Sequence, residues 1–268
     1  MRRLQLFEWE DQPWLPSVLR DYLTDHLCFA LGSHHATALH HAIAEILKPA
    51  MERLGTHEIV DLCSGGGGPL LAVQRYLQAE MRFETTITLT DLYPNVAAFR
   101  RAQSSSNGQV RACFESVSAF DVPSNLAGLR TLFTAFHHFR PADARRVLQD
   151  AARKRCGIAV LEPFERSAGI AAVLAMAGII RGLVLTPRLG PMSAGRFALT
   201  YLLPVAPAVV AWDGIVSSLR SYSVPELLDL AASATGDSFT WEAGKIPVAT
   251  PGGSISVTYL VGLPAETG

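Results

Sequence analysis

Apolar and polar residues follow two patterns along this chain, short strand-like runs and longer stretches with helical spacing. Between residues 55 and 165 the two patterns alternate, which predicts a sheet whose strands are linked by helices. The predicted strands are Glu58–Asp61, Thr85–Thr90, Val110–Phe114, Arg130–Phe136 and Gly157–Leu161. The predicted helices between them are Pro69–Glu80, Asn95–Gln103 and Pro141–Arg155. The sequence therefore predicts an α/β fold with a doubly wound, mostly parallel sheet.

Segments on both sides of this alternation extend the fold. Apolar residues at helical intervals predict a helix over Ser17–Leu31, with Pro16 before it and Gly32 just past it. Phe239–Trp241 and Ser256–Gly262 predict two further strands, which brings the sheet to seven. We therefore divide the chain into a helical cap (1–54), an α/β core (55–166), an apolar insertion (167–227) and C-terminal strands that complete the sheet (228–268).

The first predicted strand turns sharply into a helix, where four consecutive glycines, Gly65–Gly68, follow the acidic residue Asp61. Glycines remove side chains where the backbone must bend and where a ligand touches the main chain. The next helix then points its free N–H groups at that ligand. Pro69 and Leu70 stand where a phosphate-binding loop needs lysine and serine or threonine, and Leu70 also occupies the third glycine position of a dinucleotide fingerprint. A nucleotide-like ligand of another kind is therefore expected.

This turn resembles motif I of class I S-adenosylmethionine-dependent methyltransferases, with Asp61, Cys63, Gly65 and Gly67 at the matching positions. Cys63 departs from the glycine that usually comes first in the motif. Asp91 ends the second strand, 24 positions after Gly67, and a carboxylate there can accept hydrogen bonds from both ribose hydroxyls. The resemblance implies a Rossmann-like fold, S-adenosylmethionine as cofactor, and an N-terminal lid; a helix that only covers a sheet edge is the alternative.

The segment after the third strand resembles the family's adenine-binding loop, in which an aspartate and an alanine precede a proline. Counting back from Pro123 gives Ser118 and Ala119, so that serine replaces the aspartate. The resemblance implies these cofactor-binding residues: Asp61, Cys63, Ser64, Gly65, Gly67, Asp91, Leu92, Ser118, Ala119, Thr134 and Phe136.

His137 and His138 follow the fourth strand and resemble the histidine pair found at this position in many small-molecule methyltransferases. Strand ends line the crevice of an open parallel sheet, so one histidine could take a proton from the acceptor. A structural histidine is the alternative. If the reaction uses a base, we predict His137 as the first candidate and His138 as the second.

Two apolar stretches, Ser167–Ile180 and Phe197–Trp212, lie in the insertion and are separated by arginines and prolines. Each is shorter than the ~18–20 residues that span a bilayer, so we expect no transmembrane helix. The segment 168–212 could instead wall a pocket for a hydrophobic substrate, touch a membrane peripherally, or form a homodimer interface. The predicted substrate-binding residues are Trp14, Tyr22, Glu162, Asp213, Arg220 and Tyr222.

Composition narrows the function further. A net charge of −1 and a pI near 6.7, without a Lys/Arg-rich stretch, disfavour nucleic acid as substrate. The four cysteines are widely spaced and no secretory signal precedes them, which predicts reduced thiols and a cytoplasmic protein. The histidine pairs His34/His35 and His40/His41 lack the spacing of zinc ligands, so we predict no metal.

With these features, the resemblance implies methyl transfer from S-adenosylmethionine to a small, hydrophobic metabolite by metal-independent, in-line displacement. Two other functions are compatible with the same features. An NAD(P)-dependent oxidoreductase would also need a glycine turn and an acidic strand end, and a non-catalytic protein could bind S-adenosylmethionine without turnover. The sequence leaves the substrate, the accepting atom and the oligomeric state open.

Overall fold

The structure of this chain, a computed structural model, describes residues 1–32, 36–189, 192–235, 238–250 and 253–265. Its strands are β1 (Glu58–Leu62), β2 (Thr86–Asp91), β3 (Val110–Ser116), β4 (Leu129–Phe133), β5 (Ile158–Glu162), β6 (Phe239–Thr250) and β7 (Gly253–Pro264). They form one seven-stranded sheet in the order β3-β2-β1-β4-β5-β7-β6. β1 to β5 are parallel, while β7 is antiparallel to both β5 and β6. The predicted fold class is confirmed.

Helices cover both faces of the sheet. The α-helices are α1 (Ser17–Gly32), α2 (Thr37–Leu54), α3 (Gly68–Ala79), α4 (Val96–Ser104), α5 (Pro141–Arg153), α6 (Ala168–Leu185), α7 (Ala194–Phe197), α8 (Val205–Arg220) and α9 (Val224–Thr235). Because side chains alternate along a strand, Ile59 of β1 packs with α2, α3 and α4, whereas Val60 and Leu62 pack with α5 and α9 on the opposite face. This is the doubly wound arrangement.

β4 and the C-terminal strands differ from their predicted bounds. β4 ends at Phe133 and not at Phe136, because Thr134 has a φ of 55° and the chain then enters a 3₁₀ turn over Phe136–His138. β6 and β7 have 12 residues each, since they pair with one another along their whole length. Cross-strand pairing sustains both strands well beyond the short apolar runs that predicted them.

The apolar insertion folds mainly into α6 and α8, which pack along each other. Gly178 and Gly182 permit this contact, because a Cβ atom would lie 2.8 Å from Ala211 on the first and 2.9 Å from Pro207 on the second. α9 begins within the range assigned to the insertion, but it packs against α5 and so lies in the core layer.

α6 is longer than the apolar pattern predicted. Ala168–Arg188 forms a helical stretch of 21 residues with a mean hydropathy of 2.1, and 17% of its apolar window is buried. By length and composition this stretch could cross a membrane, and so could the bent pair Ala194–Leu202 and Val205–Arg220 if taken as one span. The expectation that each apolar stretch is too short to cross a bilayer is therefore wrong for α6, because the helix continues through Arg181.

A buried ion pair fixes the loop between β3 and β4. The guanidinium of Arg130 donates to Asp150 at 2.9 Å, and both side chains are fully buried. The same carboxylate oxygen accepts the N–H of Val122 at 3.2 Å. Burial alone would raise the pKa of Asp150, but Lys154, the Val122 N–H and the neighbouring arginines together lower it. The carboxylate therefore stays ionised and holds the loop.

Arg130→Met should lower the free energy of unfolding by about 3 kcal/mol, because it leaves part of the Asp150 charge buried without its partner. Urea unfolding measures this. Arg146→Met is the control, since the Arg146–Asp143 pair is exposed and should contribute less than about 1 kcal/mol. Equal losses in the two variants would contradict a structural role for the buried pair.

Candidate functional site

The glycine turn after β1 owes its shape to three left-handed residues. Cys63, Gly65 and Gly67 have φ values of 56°, 55° and 79°. Glycine adopts this region freely, whereas a residue with a Cβ atom pays a steric cost. Cys63 thus departs from the motif at a position whose backbone favours glycine. Gly67 also caps α3, whose N-terminal N–H groups face the turn.

The other two glycines make room for α1. A Cβ atom on Gly66 would lie 2.4 Å from the Cys28 sulfur, and one on Gly68 would lie 2.7 Å from the Cys28 Cα. Both distances are far below van der Waals contact, so only glycine lets α1 approach. α1 therefore packs directly on the turn, as a lid would, and Thr24 and Cys28 line the resulting cavity.

Asp91 connects the turn to the end of β2. One carboxylate oxygen accepts the N–H of Gly65 at 2.8 Å, and the other accepts the N–H of Tyr93 at 2.8 Å. Each oxygen keeps a second lone pair, so the carboxylate can still accept hydrogen bonds from a ligand. The glycines and Asp91 line one cavity of about 250 Å³, which we name the cofactor cavity. The two halves of the predicted site thus face a common cleft.

Ten of the eleven predicted cofactor residues line this cavity: Asp61, Cys63, Ser64, Gly65, Gly67, Asp91, Leu92, Ser118, Ala119 and Thr134. Phe136 does not. Its side chain is fully buried and packs against Phe139 and Tyr222 in the core, because the 3₁₀ turn points it under the sheet edge. The placement of Phe136 at the cofactor is corrected accordingly.

Sequence reasoning missed several lining residues. Glu10 and Asp11 reach the cavity from the extended N-terminal segment, and Phe120 and Phe139 supply aromatic walls. The two phenylalanines lie within a few residues of predicted site residues, so their place in the sequence could have identified them. The two acids carry no such signal, because their position depends on how the N-terminal segment crosses the molecule.

Asp61 lies at the floor of the cavity with a buried side chain. Burial raises the pKa of Asp61 to about 7, although the Thr131 hydroxyl donates to the carboxylate at 2.7 Å. Burial also keeps the neighbouring Cys63 thiol neutral by raising its pKa well above the usual value. Cys63 is therefore a small apolar wall and not a nucleophile.

His137 is oriented by Glu162. The backbone N–H of His137 donates to one Glu162 oxygen at 3.0 Å, and its ring Nδ1 lies 2.9 Å from the other. The ring Nε2 is buried without a hydrogen-bond partner and lies 3.7 Å from Glu8. Burial opposes a charge on this ring, but Glu162 and Glu8 outweigh it and raise the pKa of His137.

His138 borders the cofactor cavity and is paired with two acids of the N-terminal segment. Its Nδ1 lies 2.7 Å from Asp11 and 3.1 Å from Glu8. Burial would favour the neutral ring, but Glu8 and Asp11 raise the pKa of His138 to about 10. The ring is therefore a cation at neutral pH, and it cannot accept a proton until a higher pH.

Glu8, His137 and His138 also bring three potential metal ligands within 4.8 Å of one another. Arg220 already lies 3.2 Å from Glu8 and 2.7 Å from Asp11, so that a cation is present beside these acids. The absence of a metal remains a prediction. His34 and His35 lie outside the described residues.

A second cavity of about 120 Å³ adjoins the first beneath α6 and α8. The two share Glu10, Leu27, Thr134 and His138, and we name the second the acceptor cavity. Its walls combine apolar side chains of α1, α6 and α8 with charged and polar groups that include His137, Asp213 and Arg181. Asp213 accepts the N–H groups of Trp9 and Glu10, and burial raises its pKa to about 8.

Asp213 is the one predicted substrate residue that lines either cavity within the described residues. The other five have different positions. Trp14 is 64% exposed on the surface, and Tyr22 donates its hydroxyl to the Gly182 carbonyl inside the protein. Tyr222 donates to the Phe139 carbonyl. Glu162 and Arg220 are held by His137 and by the acids of the N-terminal segment. We therefore correct these five placements, since their polar groups serve internal contacts or solvent.

No protein-family model matches this chain, and no curated protein matches its sequence. Solved structures do show similarity. The pyocyanin biosynthetic protein PhzM has 17% identity and a TM-score of 0.44, covering 78% of this chain and 50% of its own. The O-methyltransferase NcsB1 from neocarzinostatin biosynthesis, solved with S-adenosylmethionine and 2-hydroxy-5-methyl naphthoic acid, has 18% identity and a TM-score of 0.45, covering 86% and 59%. An O-methyltransferase family protein from Burkholderia thailandensis has 15% identity and a TM-score of 0.40, and the match covers 86% of this chain and 59% of that protein.

This chain spans between half and three fifths of the length of those proteins. The position of the site rests on this chain's own strand order and cavities.

Gly66→Ala should destabilise the protein by about 1–3 kcal/mol and weaken binding in the cofactor cavity, because its methyl group overlaps the Cys28 sulfur. Cys28→Ala removes that sulfur and should restore most of the loss in the double variant. Gly68→Ala meets the Cys28 backbone instead, so Cys28→Ala should not restore it. Thermal unfolding of the wild type, the three single variants and the two double variants checks this, and equal rescue of both glycine variants would contradict the packing.

The contacts of His138 with Glu8 and Asp11 should make the free energy of unfolding depend on pH. The folded pKa of about 10 exceeds the unfolded value of about 6.5, so the stabilisation is complete below pH ~6.5 and is lost as the pH rises to about 10. Urea unfolding should show that the free energy of unfolding declines between pH 7 and 10. His138→Gln should make this decline smaller. An NMR titration that places the His138 ring near its ordinary pKa would contradict the pairing.

Proposed function

We propose that this protein transfers a methyl group from S-adenosylmethionine to a small, hydrophobic acceptor. The observation that carries the proposal is the junction of two cavities, one bordered by the glycine turn and Asp91, the other lying beneath the insertion and lined in part by its apolar side chains. A donor in the first would point its sulfonium toward the second. Methyl transfer is an in-line displacement that needs the two reactants aligned in a dry site.

The residues at the junction suit this chemistry. His137 is the first candidate for a base, since Glu162 holds its Nδ1, its Nε2 makes no hydrogen bond, and the residue lines the acceptor cavity. Its raised pKa means that proton acceptance improves as the pH rises. His138, as a cation, would stabilise negative charge on an acceptor better than it would remove a proton. These steps use no metal.

The two alternatives fit less well. The order β3-β2-β1-β4-β5-β7-β6, with an antiparallel β7, departs from the parallel 3-2-1-4-5-6 order of dinucleotide-binding sheets. A protein that only binds the cofactor would not need the acceptor cavity. The cytoplasmic location stays part of the proposal, and four unpaired cysteines support a reducing compartment.

Calorimetric titration with S-adenosylhomocysteine tests the donor site. Asp91→Ala should weaken binding about 10- to 100-fold, because it removes a charged acceptor of hydrogen bonds and frees the Gly65 N–H. Asp229→Ala is the matched control, since this exposed carboxylate lies on α9 away from both cavities. Its affinity should equal that of the wild type.

Wild-type protein that ignores S-adenosylhomocysteine but changes the fluorescence of reduced nicotinamide would overturn the proposal in favour of the oxidoreductase. Unchanged affinity in Asp91→Ala would remove this residue from the ribose.

A further inference from the structure

The outward side of α6 is a continuous apolar stripe. Val173, Met176, Ile180 and Val184 are 63%, 62%, 54% and 56% exposed. Their spacing places them on one side of the helix. Soluble proteins rarely expose a contiguous apolar patch of this kind unless it binds something.

The remaining sides of α6 face other parts of the protein. Gly178 and Gly182 contact α8, while Leu174, Ala177 and Arg181 border the acceptor cavity. The stripe therefore points away from the folded domain, and within the described part of the chain no element covers it. We name it the α6 stripe.

A second exposed apolar surface follows at the break before α8. Leu202, Leu203 and Val205 are 68%, 65% and 42% exposed. This break borders a shallow apolar groove of about 540 Å³ that also contains Phe7, Trp9 and Trp212. Tryptophan and other aromatic side chains prefer the boundary between lipid and water.

Charge on this segment has one sign. Residues 168–212 contain three arginines and no aspartate or glutamate. Arg196 is buried and paired with Asp25, and Arg181 borders the acceptor cavity, but Arg188 is exposed just past the C-terminal end of the α6 stripe. An exposed cation beside an apolar surface, in a segment without acidic residues, complements a negatively charged partner.

We propose that the α6 stripe and the break before α8 dock on the surface of an anionic lipid bilayer. The exposed side chains of the stripe are hydrocarbon or thioether, and the charged group at its end is a cation, which is the combination that an anionic bilayer complements. A bilayer requires only apolar area and cations at its edge. α6 then lies in the interface, because its other sides are fixed against α8 and the acceptor cavity.

Docking in this orientation bears on the acceptor. α6 forms both the membrane-facing surface and one wall of the acceptor cavity, so a lipid-soluble acceptor could enter from the bilayer side. This step rests on the proposed methyl transfer, whereas the docking itself does not.

Vesicle flotation tests the docking. The full chain should float with phosphatidylcholine vesicles that contain about 30% phosphatidylglycerol, and more weakly with phosphatidylcholine alone. Met176→Glu/Ile180→Glu should lower the partition coefficient at least tenfold, because two apolar side chains become charged. Phe114→Glu/Leu228→Glu is the matched control, since these residues are 38% and 39% exposed on other surfaces. Arg188→Gln should lower the preference for anionic vesicles about fivefold.

S-adenosylhomocysteine affinity, measured on the same variants, should not change, so a failure of docking is distinguishable from a failure of the donor site. Wild-type protein that stays at the bottom of the gradient overturns the proposal. Equal losses in the stripe variant and its control also overturn it. Light scattering that shows a dimer, converted to monomer by Met176→Glu/Ile180→Glu, would assign the stripe to a second copy of the chain instead.

Discussion

The site depends on a single carboxylate that holds two loops together. Asp91 accepts one N–H from the glycine turn and one from the residues after β2, each at 2.8 Å. Charge-assisted hydrogen bonds of this kind are short and directional, so both loops keep a fixed separation. The cofactor cavity is the space between them. α1 closes it because Gly66 and Gly68 leave room for Cys28.

The N-terminal segment supplies the charges that meet at the junction of the two cavities. Glu8 and Asp11 contact His138 and Arg220, while the Asp213 carboxyl accepts backbone N–H groups from the same segment. Burying so many charges is costly unless each has a partner. Here Glu8 and Asp11 each lie within 3.2 Å of both His138 and Arg220, so the opposite charges compensate one another. The same contacts hold the segment over the junction.

α6 combines functions that are usually separate. One side packs on α8 through glycines, another borders the acceptor cavity, and a third is exposed and apolar. A helix that is apolar all round is typical of a protein core or of a membrane. Only a small part of α6 is buried, so packing within this chain does not account for its composition, whereas the bilayer docking proposed above would.

Local sequence determined the strands and helices of the core, the glycine turn and Asp91, because periodicity and backbone freedom are properties of neighbouring residues. Ten of the residues that the motif resemblance implied for the cofactor line one cavity, since parallel strands end at one edge of the sheet. Only the tertiary structure decided the roles of Asp11, Tyr222 and Phe136. Asp11 meets His138 across 127 residues of chain, and Tyr222 meets Phe139 across 83. Such pairings depend on how whole segments cross one another, which no local pattern encodes.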